Sequence, residues 1–141
     1  MFSKKESKQL REQFWISFGK SFPRKWILYN TQVKGLSLKF HFDMKRAMVS
    51  LDVEDLSEDR RAALWDNLLS LKAIIGEYLP DAQFEEVYIL KNQKVLSRIY
   101  VQKEKVSIHD KNTWEDTMIF FKGNMSLLEE FFLEYQDVLK S

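Results

Sequence analysis

Three acids and a lysine within sixteen residues are the first groups in this chain whose types could do chemistry together. Lys39, Asp43, Asp52 and Glu54 lie in the run S37-L-K-F-H-F-D-M-K-R-A-M-V-S-L-D-V-E-D55. Two converging carboxylates can hold Mg²⁺ near a phosphate, and an ammonium beside them can position or activate water. The same residues have a simpler meaning. Asp43 falls at a turn, while Asp52, Glu54 and Asp55 stand where a strand runs out into solvent. A shared ion needs its oxygens within a few Å, and the hairpin puts Asp43 and Asp52 at opposite ends of one strand, so the spacing favours water over metal and no metal ligand is assigned.

Other chemistries have less to start from. His41 and His109 are the only imidazoles, and nothing in their spacing brings them together with an acid such as Asp110, so they read as isolated surface residues. There is no glycine-rich phosphate loop, no Gly-x-Ser-x-Gly elbow and no Ser/His/Asp arrangement. No cofactor is expected, with Mg²⁺ entering only under the nuclease alternative. Arg98, inside the strand-like S97-R-I-Y-V101, needs a carboxylate, and Glu85 or Glu86 would supply one.

The elements that must position these groups are legible from periodicity. Leu10, Phe14, Trp15 and Phe18 recur at helical spacing over Ser7 to Lys20, with Gly19 and Pro23 able to end that helix. Trp26-Ile27-Leu28-Tyr29 is short, aromatic and β-branched, and reads as a strand. Leu36, Leu38, Phe40 and Phe42 share one parity, and Ala47, Val49, Leu51 and Val53 face them if the turn lies at Met44-Lys45. That register sends Ser37, Lys39, His41, Ser50 and Asp52 to the opposite, wetter face.

Ser57 followed by Glu58 and Asp59 predicts a helix start, and an apolar stripe from Leu64 to Leu79 predicts one long central helix stopped by Pro80. Phe84 to Leu90 and Val95 to Gln102 read as a second hairpin, with a short strand at Val106 to Ile108. Thr113 to Asp116 and Ser126 to Glu129 resemble capping boxes with Gly123 between them, which predicts two C-terminal helices or one broken helix. The order is α-β-β-β-α-β-β-α. The predicted fold is α+β: a mainly antiparallel sheet from two hairpins, packed by the central helix, the N-terminal helix and the C-terminal helical region.

Charge is unevenly spread along the 141 residues. Residues 1–46 hold eleven Lys/Arg against three acids, and the rest hold eleven against eighteen. Such asymmetry suits a basic surface for an anionic partner, or opposite surfaces that meet across a dimer. Lys4, Lys5, Lys8, Arg11, Lys20, Arg24 and Lys25, with Phe22, Trp26 and Tyr29 nearby, are the residues to examine for nucleic-acid contacts. Apolar residues make up 45% of the chain, enough for one packed core, so one domain spanning residues 1–141 is expected. Zero cysteines exclude disulfides and thiolate chemistry and fit a cytoplasmic protein. The start MFSKKESKQLREQF lacks the pattern of a secretory signal, and no stretch suits a membrane span.

Two resemblances add to this. The order helix, three strands, helix, strand is similar to the core of the PD-(D/E)XK nucleases, whose metal site implies an Asp on the second strand and Glu-x-Lys on the third. Here those places hold Asp43 and Asp52-Val53-Glu54, with Glu54 where the lysine belongs and Lys39 as a substitute on the neighbouring strand. The segments FWISFGK, NTQVKGLSLKF, SRIYV and TW…FFKGNMSLLEEFF resemble the bacterial and archaeal family called domain of unknown function 4268, over nearly the whole chain. The resemblance implies an association with larger proteins, some carrying nuclease-like regions, and it transfers no catalytic residues. The sequence therefore leads to a non-catalytic interaction module, expected to be a homodimer, with nucleic-acid or defence systems as the association the resemblance implies. A divergent nuclease, or nucleic-acid binding without cleavage, is the alternative.

Overall fold

Local signals start the helices where the sequence places them. In the computed structural model, which describes residues 2–140, helix α1 (Lys4–Ser21) opens on a capping box. The Ser3 hydroxyl accepts from the Glu6 amide at 3.1 Å, and the Glu6 carboxylate accepts from the Ser3 amide at 3.2 Å. Strands β1 (Leu36–Phe42) and β2 (Arg46–Val53) follow, then α2 (Glu58–Ser70), whose N-cap Ser57 accepts from the Arg60 amide. Next come α3 (Lys72–Tyr78), β3 (Gln83–Ile89), β4 (Val95–Glu104), a single 3₁₀ turn (Lys111–Thr113) and α4 (Trp114–Lys140). The four strands form one antiparallel sheet in the order β1-β2-β4-β3, and the fold is α+β as expected.

The first hairpin has the register that its alternation demands. Leu36 faces Val53, Leu38 faces Leu51, Phe40 faces Val49 and Phe42 faces Ala47. This set turns towards the helices, where Phe14, Phe18, Phe121, Met125, Phe131 and Phe132 meet it in one contiguous core. Each such fully buried side chain contributes roughly 1.5–3 kcal/mol. The long helix α4 keeps its stripe Trp114, Thr117, Phe121, Met125, Leu128 and Phe132 buried without interruption.

Several local expectations give way to tertiary contacts. Trp26–Tyr29 is not a strand: Leu28 adopts a left-handed φ of 47°, the Asn30 amide turns back to the Ile27 carbonyl, and the Ile27 amide donates to the buried Glu129 carboxylate of α4 at 2.6 Å. With that strand gone, only two strands precede α2, and the three-strand order of the PD-(D/E)XK core is not reproduced. The central helix is two helices, α2 and α3, meeting at Leu71. Val106–Ile108 forms no strand. Gly19 does not end α1, which runs on to Ser21.

The C-terminal region is one helix, since burial of the stripe through Phe121, Met125 and Leu128 outweighs the local stop signals. Within it Asn124 donates to the Phe120 carbonyl and Ser126 to the Lys122 carbonyl, so neither starts a helix. Thr113 caps nothing either; its hydroxyl closes the preceding loop against Ser107.

The second face of the sheet is covered by the chain's own hairpin. The β3–β4 register breaks at a bulge between Glu85 and Tyr88, and bulges bend and twist a strand pair. Beyond it the arm folds back across the outer face. Tyr88, paired with Leu96, lays its ring 4.3 Å from the Arg98 guanidinium carbon and takes a hydrogen bond from Arg46, whose own register partner is Glu104 at the far end of β4. Met48, Ser50, Asp52, Leu96, Arg98 and Tyr100 are consequently buried although no helix covers them, and the face expected to be wet is largely dry.

Candidate functional site

The outer face assembles three of the four residues of the nuclease alternative, as a lattice of paired charges. Asp52, fully buried, faces Arg98 in the strand register and receives a two-pronged hydrogen bond from it, Nε to Oδ1 and Nη2 to Oδ2, each 2.8 Å. Lys39 Nζ lies 3.3 Å from Asp52 and is also bonded to Glu54. Lys94, in the turn of the arm, reaches Glu54 and Asp55 at 2.9 Å each. The partner of Arg98 is therefore Asp52 rather than Glu85 or Glu86. Glu85 accepts the Tyr100 hydroxyl instead, and the Glu86 carbonyl accepts the Ser97 hydroxyl.

The electrostatics follow the pairing. Burial alone would push the Glu54 carboxyl up, but the hydrogen bonds and charges of Lys39 and Lys94 bring it below its ordinary value. Burial works against the Lys39 ammonium, yet Glu54 and Asp52 hold its pKa above the usual lysine range. Burial and the bond to Glu85 push the Tyr100 phenol up to about 12.

Asp43 stands apart from this lattice. Ser37 is the partner of Asp52, and Asp43 lies six residues beyond it along β1 and into the turn, about 20 Å away at strand rise. Its Oδ1 accepts from the amides of Lys45 and Arg46 at 2.8 and 2.9 Å, and its Oδ2 contacts His41 Nε2 at 2.8 Å. Burial would raise this carboxyl; the His41 bond and the two amides hold it below the normal range instead. Among the described residues no three acidic or imidazole side chains converge where they could share a cation.

The second place of interest is a cleft of about 1050 Å³ between the first half of α1, the β1–β2 turn, the segment after β4 and the arm tip. Five cations line it, Arg11, Lys45, Arg46, Lys91 and Lys105, against three acids, Asp43, Glu104 and Asp110. The acids are occupied: Asp43 as above, Glu104 by Gln102 and Asp110 by the Asn112 amide. Arg11, Lys45, Lys91 and Lys105 have no acidic side-chain partner among the described residues. Two smaller recesses share Arg11 with the cleft and extend it along α1 past Lys4, Lys8 and Trp15. Phe2 and Trp15, 43% and 36% exposed, supply aromatic surface beside these charges.

Both histidines line this cleft, against the expectation that they are isolated. His109 Nε2 is 2.8 Å from the Ser7 hydroxyl, and its ring lies 4.5 Å from that of Phe2. Of the basic residues singled out in the sequence, Lys4, Lys8 and Arg11 border the cleft or its extension, whereas Lys5 does not. Lys20 lies thirteen residues along α1 from Ser7, about 20 Å away. Arg24 is engaged by Glu129 and Ser126 and sits 4.3 Å from the Trp26 ring centre, and Lys25 follows it on the same loop. No sequence pattern marks Lys91, Lys105 or His109 as cleft residues, because a bent arm and a loop after β4 carry them there.

Fold and site together define an α+β protein with helices on one sheet face, an arm on the other and an unpaired basic cleft at one end. The chain belongs to the family described as Domain of unknown function (DUF4268), whose model matches residues 10–136. No curated protein and no solved structure matches it. Among the described residues no helix is long and apolar enough to cross a membrane.

Proposed function

We propose that this protein is an interaction module that binds a single strand of nucleic acid in the cleft beside α1. The observation that carries the reading is the set of cations there, Arg11, Lys45, Lys91 and Lys105, left without acid partners beside exposed Phe2 and Trp15. Unpaired cations on a concave surface neutralise phosphates, and aromatic faces next to them stack on bases without regard to sequence. A single strand can lay its phosphates along Lys91, Lys105 and Arg11.

Fluorescence anisotropy with a labelled single-stranded oligonucleotide tests this. Affinity should fall steeply with salt. Lys91→Glu or Lys105→Glu should weaken binding about tenfold and flatten the log–log salt slope by about one. Lys20→Glu and Lys25→Glu, remote from the cleft, serve as controls that leave binding unchanged. Affinity indifferent to salt, or equally sensitive to the controls, rejects the cleft as the binding surface.

A further inference from the structure

The cleft holds both imidazoles of the chain, and one residue ties them together. Asp43 holds the His41 ring through Oδ2, while its main-chain carbonyl accepts the Ile108 amide at 2.9 Å and so fixes the loop that carries His109. The His41 side is further set by the Lys45 and Arg46 amides on Asp43 Oδ1, and the His109 side by the Ser107 hydroxyl, which accepts the His109 amide at 3.1 Å. Two positioned imidazoles flanked by Arg11, Lys45, Arg46 and Lys105 constitute the groups that phosphodiester transfer within RNA requires.

Resting on the reading that the cleft takes a nucleic-acid strand, we propose that it also cleaves RNA, with His41 and His109 as the proton-transferring pair. His109 Nε2 faces a hydroxyl, that of Ser7, and a ribose 2′-hydroxyl takes the same place. As the 2′-oxygen forms its bond to phosphorus, its proton passes to His109. The bond from phosphorus to the 5′-oxygen breaks, and that oxygen receives a proton from His41, whose Nδ1 is left free by the Nε2 contact to Asp43. The products are a 2′,3′-cyclic phosphate and a 5′-hydroxyl. One proton enters the protein and one leaves, no bond is oxidised or reduced, and no further reactant is consumed. The surrounding cations balance the charge that grows on the non-bridging oxygens.

The test is a single-turnover assay of labelled single-stranded RNA, run beside DNA and 2′-O-methyl RNA of the same sequence. Cleavage of RNA alone, with a 2′,3′-cyclic phosphate identified by mass spectrometry, is expected. His41→Asn and His109→Asn should each lower the rate at least about 100-fold while anisotropy shows RNA still bound. Lys20→Glu, remote from the cleft on α1, should retain the activity. RNA that is bound but left intact overturns the cleavage and leaves the binding proposal standing. RNA that is not bound at all overturns both. Activity surviving in the double histidine variant, purified identically and folded by circular dichroism, overturns the assignment of the two imidazoles.

Discussion

The outer sheet face and the cleft beside α1 are built from the same side-chain types and put them to opposite use. On the face, Asp52, Arg98, Lys39, Glu54 and Lys94 close upon one another beneath or beside the arm. In the cleft, Arg11, Lys45, Lys91 and Lys105 stand open, and the neighbouring acids are occupied elsewhere. Charge of one kind can therefore be structural or available depending on what the fold sets opposite it. Residue identity alone does not distinguish the two, and of the nuclease pattern's acids Asp52 and Glu54 fall on the structural side while Asp43 lines the cleft.

The largest effect expected from breaking this contrast lies in the lattice. Arg98→Ala leaves Asp52 as a buried charge with only Lys39 nearby and removes the stacking partner of Tyr88. Losing one member of a buried pair costs about 3–5 kcal/mol. Urea unfolding should show a loss of that size, and Asp52→Asn in the Arg98→Ala background should restore part of it. A loss below about 1 kcal/mol would mean that the arm does not seal this face.

A smaller effect is expected at the edge of the lattice. Gly35 has a φ of 82°, and its carbonyl accepts the Glu54 amide at 2.8 Å. A Cβ there would lie 2.5 Å from Leu56 Cγ and 2.8 Å from the Glu54 carbonyl oxygen, which is backbone and cannot step aside. Gly35→Ala should cost about 2 kcal/mol in the same denaturation assay, through left-handed strain and this collision. Gly123→Ala, with nothing within 4 Å of its added carbon, should instead stabilise α4 by up to about 1 kcal/mol.

Paired groups on the face and in the cleft also set limits on pH. Glu54 and Asp43 have depressed folded values, so their contributions are present above the ordinary carboxylate range and vanish as pH falls through those values. Tyr100 and Lys39 have raised values, so theirs are present below the ordinary 10.0 and 10.5 and vanish as pH climbs through the folded ones, about 12 for Tyr100. Urea midpoints should hold level between about pH 5 and 9 and fall on both sides. Glu54→Gln should soften the acid limb; an unchanged acid limb would remove Glu54 from the account.

Much of the scaffold was legible because it rests on local pattern. Alternation fixed the register of Leu36–Phe42 against Arg46–Val53, and Ser57 announced α2. Trp26–Tyr29 misled because aromatic and β-branched composition imitates a strand, whereas its conformation is decided by Glu129, 102 residues from Ile27. Ser126 misled in the same way, looking like a cap while a buried stripe carried the helix through it. Parity placed Asp52 on the outer face but not Arg98 opposite it, since pairing between distant strands leaves no trace in either segment. The cleft was half visible: Lys4, Lys8 and Arg11 follow from the basic start, but Lys91 and His109 depend on a bulge and a loop.

The smallest stability effect is expected where the functional effect is largest. Lys91 and Lys105 have no acid to lose, so Lys91→Glu and Lys105→Glu should shift unfolding free energy by no more than about 0.5 kcal/mol. The double variant should therefore melt with the parent while losing nucleic-acid affinity by about two orders of magnitude. A double variant that loses stability together with affinity would show that these lysines belong with the paired set, and the contrast between the two regions would collapse. The comparison thus turns on two lysines that the fold can spare and the proposed ligand cannot.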